Sequence, residues 1–94
     1  MYTIFVYEFK WIDWNVGHIA QHGVSPEDAE WLVNHPRPPY PRRAGRDKWV
    51  VHGRTPGGDL LMVVYAFEPD DRVFAITARP LTDREKRNLR RSQP

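Results

Sequence analysis

The stretch "NVGHIAQHGV", residues 15–24, places two histidines four apart, an asparagine three before the first and a glycine after the second. On a helix of 3.6 residues per turn, Asn15, His18 and His22 fall within roughly 60° of one another. They border a stripe formed by Ile12, Val16 and Ile19, at the margin of a core, where burial can tune a pKa. Histidines at i and i+4 can share a zinc ion, but no Glu follows the first and the chain has no cysteine. The simpler role for His18 is to cap or pack. His22, in the last turn, is stabilised as a cation by the helix dipole and can then meet a phosphate. An imidazole also exchanges protons near neutrality, as a general acid or base must.

A second set lies on expected strands. In "KWVVHGR", period-2 alternation puts Lys48, Val50, His52 and Arg54 on one face. In "VFAITAR", Val73, Ala75, Thr77 and Arg79 share a face, and Tyr65 alternates with Leu61, Val63 and Phe67. If Arg54, Tyr65 and Arg79 share one sheet face, they form a cationic platform with an aromatic hydroxyl. RNA cleavage by the internal 2′-hydroxyl needs such a set: a base for the 2′-proton, an acid for the leaving 5′-oxygen, and fixed cations for the phosphorane charge. That chemistry requires no metal or other cofactor.

Charge is segregated although the net is only +2. Residues 1–36, 37–54, 55–71 and 72–94 carry −4, +5, −4 and +5. If folding joins the two basic blocks, Lys48, His52, Lys86, Arg87 and Arg90 become candidate RNA contacts. No apolar run approaches the roughly 20 residues of a membrane span. A cysteine-free chain suits a reducing cytoplasm, which is the expected location.

The elements that must position these residues are legible from the pattern. The 94 residues suit a single domain, 1–94. "YTIFVYEF" reads as a strand. Asp13 caps a helix over about 14–22, and Gly23 ends it. Ser25 caps a second helix with Pro26 at its first position, turning Ala29, Leu32 and Val33 inward and stopping near Asn34 before Pro36. "HPRPPYPRR" reads as a stiff, extended connector. Three strands follow, "DKWVVHGRT", "DLLMVVYAFE" and "VFAITAR", with turns between them. "TDRE" then opens a basic helix through about Arg91, with Thr82 and Glu85 as a capping box. The expected fold is α+β: a small antiparallel sheet with two N-terminal helices and one C-terminal helix, in the order β-α-α-β-β-β-α.

"WIDWNVGHIAQHGVSPEDAE", "VVHGRTPGGDLLMVVYAF" and "VFAITARPLTDREKR", in this order and spacing, resemble the BrnT-type toxins over about Trp11 to Arg91. The "N..HI..HGV" version looks like a distinct branch, with Gln21 where the family often has lysine. The resemblance implies a RelE-like fold and a metal-independent endoribonuclease that blocks translation as the toxin of a type II toxin–antitoxin system. It implies a cognate antitoxin of the ribbon-helix-helix type, with DNA contacted only through that antitoxin. Carried over by match are His22, Arg54, Tyr65 and Arg79 as the catalytic set, with Asn15 and His18 as supports. The rival readings are a non-catalytic module binding RNA or protein through the same face, and an interaction domain using the acids Glu27, Asp28 and Glu30.

Overall fold

A computed structural model describes residues 6–92. The elements are α1 (Asp13–Ala20), α2 (Pro26–Asn34), β1 (Arg42–Arg43), β2 (Trp49–Arg54), β3 (Leu60–Phe67), β4 (Val73–Pro80) and α3 (Asp83–Ser92). The strands form one antiparallel sheet in sequence order, so β1 and β4 are its edges. The α+β class and the three helices are as expected.

Of the expected N-terminal strand, residues 2–5 lie outside the described residues; among those described, Phe9 pairs through a single parallel bridge, to Val73. The Val73 N–H donates to Glu8 and the Lys10 N–H donates back to Val73, at 2.8 and 2.9 Å. The next inward step along β4 is taken by a side chain. Asn15 Nδ2 donates to the Ala75 carbonyl at 3.2 Å and to the Lys10 carbonyl at 3.1 Å, while its Oδ1 accepts from the Ile12 N–H at 2.8 Å. The amide thus starts α1 and continues the β4 edge together, and pairing of the main chain goes no further inward than Lys10.

That bond set also shifts the helix. Ile12, not Asp13, is the N-cap residue, and it is 45% exposed. The inward face of α1 is Asn15 and Ile19, both fully buried, with Val16 only half-buried. Gly23 takes φ +74°, and the Val24 N–H folds back to the Ile19 carbonyl at 3.1 Å. This left-handed stop leaves His22 in the turn after α1.

α2 follows its sequence signals. Ser25 Oγ accepts from the Asp28 N–H at 3.2 Å, and Ala29, Leu32 and Val33 are buried. These meet Val51, Leu61, Val63, Tyr65, Val73, Ala75 and Ala78 from the sheet, with Ile19 and Val24 completing the core. Each large apolar side chain buried there contributes about 1.5–3 kcal/mol. The connector does not run straight through: the Tyr40 N–H donates to Arg37 at 2.9 Å, cis peptides precede Pro39 and Pro41, and the chain then lays β1 on β2.

Candidate nucleic-acid interface

The strand register sorts every candidate by face. Trp49, Val51 and Gly53 lie opposite Tyr65, Val63 and Leu61, on the side that packs against α1 and α2. Val50, His52 and Arg54 lie opposite Val64, Met62 and Leu60 on the other side, which is half-open. Met62 in turn lies opposite Arg79. His52, Met62 and Arg79 therefore form one row across three strands, with the outer two roughly 10 Å apart at two strand spacings. Arg54 is two residues from His52 on the same face, and Arg42, opposite Val50, adds a third guanidinium. The expected cationic face exists for Arg54 and Arg79.

Tyr65 is not part of it. It points into the core, is 3% exposed, and burial, with Tyr7 adding to it, pushes its hydroxyl up to about 12. The reason is the odd–even rule: residue 65 alternates with 60, 62 and 64, whose side chains face the cations.

His52 is the centre of the open face. Its Nδ1 lies 3.1 Å from the Tyr40 hydroxyl, the two rings stack at 4.9 Å, and Arg42 lies over the Tyr40 ring at 5.4 Å. Burial lowers the His52 pKa, Glu85 opposes this, and Arg79 and Arg42 add to it. The net effect favours the neutral imidazole. Arg79 is less available than its position suggests. It forms a two-pronged ion pair with Glu85 of α3 at 2.7 and 2.9 Å. The Arg79 hydrogen bonds hold the Glu85 carboxyl down to about 2, and bonds from Thr82 reinforce this. Glu85 also closes the expected capping box, accepting from the Thr82 N–H at 2.9 Å.

Past the end of β1, the remaining length of β2 borders a groove of about 580 Å³. Trp31 and His35 from α2, Pro36 and Arg37 from the connector, His52, Gly53 and Arg54 from β2, Leu60 from β3, and Leu89 and Arg90 from α3 line it. Among the described residues its charged lining is cationic. Arg54 keeps one weak bond, to the Gly58 carbonyl at 3.3 Å. The Arg90 side chain has no hydrogen bond or ion pair among the described residues.

The other candidates lie elsewhere. His18 and His22 belong to an aromatic ladder along the β4 edge. Phe74 and Trp14 stack at 6.1 Å, Trp14 and His18 at 5.2 Å, and His18 meets His22 edge-on at 5.9 Å. No hydrogen bond joins His22 to Arg54 or Arg79 among the described residues. Asn15, expected as a support for the site, is a fully buried structural link. Lys86 lines a smaller concavity with Gly23, Asp28, Asp59 and Pro80. Arg87 is exposed on α3, and Lys48 is exposed ahead of β2.

Trp31, His35, Arg37, Tyr40 and Arg42 were missed by sequence reasoning. The available signal was the alternation of bases and aromatics in "HPRPPYPRR", which reads as a connector until its fold-back onto β2 is known. No family model matches the chain, and neither the curated proteins nor the solved structures yield a match.

Proposed function

We propose that this chain acts on RNA through the cationic groove and the adjoining open sheet face, as a metal-independent endoribonuclease of the toxin type. The observation that carries the RNA reading is the groove lining itself, which brings guanidiniums from the connector, β2 and α3 (Arg37, Arg54 and Arg90) to one edge of β2. His52 takes the role that the sequence pattern offered to His22. With Nδ1 protonated and donating to Tyr40, its Nε2 lone pair takes the 2′-hydroxyl proton as the 2′-oxygen attacks phosphorus, Arg54 meets the phosphate, and the 5′-oxygen leaves with a proton from solvent. The toxin assignment and its ribbon-helix-helix antitoxin partner rest on the sequence resemblance alone, and the cytoplasmic location on the cysteine-free composition. Among the described residues no helix is long and apolar enough to cross a membrane.

The test is cleavage of single-stranded RNA in EDTA by purified wild-type and His52→Ala protein. Products ending in 2′,3′-cyclic phosphate, formed at least about tenfold more slowly by the variant, are expected. Equal rates from both proteins would remove His52 from the reaction. One observation favours the second reading, a module that binds RNA without cutting it. Tyr65 is buried across the sheet and Arg79 is held by Glu85, so two of the four expected catalytic groups are otherwise engaged. Salt-sensitive RNA binding with no product identifies that case.

A further inference from the structure

Trp31 is the groove residue that cleavage chemistry leaves unused. It sits in the last turn of α2 and is 39% exposed. An exposed Trp alone needs no explanation. This one is ordered by a neighbour: the His35 ring lies 3.7 Å away, within 17° of parallel. Two contacts hold that imidazole. The His35 N–H donates to the Trp31 carbonyl at 3.0 Å, and its ring Nδ1 lies 2.9 Å from the same oxygen. A carbonyl only accepts, so Nδ1 carries the proton. The two rings are thus fixed before any ligand arrives, and little side-chain entropy remains to be lost on stacking.

The same groove presents Arg37, Arg54 and Arg90. Its volume of about 580 Å³ falls within the ~300–1,000 Å³ of small-ligand sites. An ordered aromatic surface beside a row of guanidiniums matches the chemistry of single-stranded nucleic acid, whose phosphates follow the cations while its bases stack on rings. A duplex keeps its bases stacked inside and has no base face to offer. The geometry points to Trp31, backed by His35, as a nucleobase-stacking subsite that selects single-stranded RNA. One unpaired base lies against the indole, and the adjoining phosphates run toward Arg54. This subsite rests on the RNA reading above.

Fluorescence anisotropy of labelled octa-uridylate and of an RNA duplex of the same length tests it, using the full chain as wild type, Trp31→Ala, Trp31→Phe and Arg54→Gln. Thermal melts confirm that each variant is folded. Trp31→Ala is expected to weaken single-strand binding about tenfold, with duplex binding and the salt slope unchanged, and Trp31→Phe to recover most of the loss. Equal losses on both RNAs overturn the subsite. So does an unaffected Trp31→Ala beside a weakened Arg54→Gln, which leaves the cationic groove standing without its stacking surface. A wild-type protein that binds neither RNA overturns both the groove and the subsite.

Discussion

Two regions of this molecule each hold a pair of histidines, and they are built differently. Along the β4 edge, His18 and His22 extend a ladder of half-buried and exposed rings, and beneath them Asn15 spends all of its hydrogen bonds on the backbone. Around the β2 edge, the ring nitrogens of His35 and His52 are held by specific partners, and arginines share their groove. Histidine spacing therefore identified the less equipped region. Two imidazoles at i, i+4 share a helix face whatever surrounds them. A cationic site needs charges brought from the connector, β2 and α3, and local periodicity carries no record of that convergence.

The contrast makes graded claims. The largest effect falls on the β4 edge and concerns stability. Asn15→Ala leaves the Ile12 N–H and the Lys10 and Ala75 carbonyls without their partner, at a cost of about 3 kcal/mol by urea denaturation. A loss below about 1 kcal/mol would show that water replaces the amide and that this edge is not pinned. Next, His52→Ala should slow RNA cleavage about a hundredfold while His22→Ala changes it less than about twofold. The reverse pattern would return the chemistry to the end of α1. Because burial lowers the His52 pKa, cleavage that needs its neutral form should persist below the pH of an ordinary imidazole. A fall in rate already above pH 7 would contradict this.

A smaller effect is expected on salt dependence. Arg54→Gln should reduce the slope of log affinity for single-stranded RNA against log salt by about one unit, the share of one phosphate contact. An unchanged slope would place the backbone elsewhere.

The Arg79–Glu85 pair should show itself in acid. The Glu85 carboxyl is held at about 2 when folded, so its contribution is present above the normal carboxylate range. It is lost as pH falls from about 4.5 toward 2. The pair is partly exposed, which limits the contribution to roughly 1 kcal/mol after screening. Glu85→Gln should flatten that part of the stability profile, and an identical acid limb in both proteins would discount the pair. The smallest effect belongs to Tyr65→Phe. With its hydroxyl on the core side of the sheet, cleavage should be unchanged within assay error. A tenfold loss would mean that the open face is not the working one.

Local signals in the chain determined a good deal. Ser25 with Pro26 started α2, Gly23 stopped α1, and Thr82 with Glu85 started α3, because caps and left-handed turns are decided within a few residues. Alternation placed Val50, His52 and Arg54 on one face of β2. It also contained the answer for Tyr65, whose shared face with Leu61 and Val63 is the buried one once the side covered by the helices is known. Only the tertiary structure decided that side. It also turned Asn15 inward, since a buried amide was needed where a strand edge and a helix start met. It paired Arg79 with a glutamate six residues on, so a cation counted for phosphate is partly neutralised. And it brought Trp31, Arg37, Arg54 and Arg90, from four separate elements, around one edge of β2. The cause in each case is the same: helix and strand periods fix which residues share a face, but only packing fixes what that face meets.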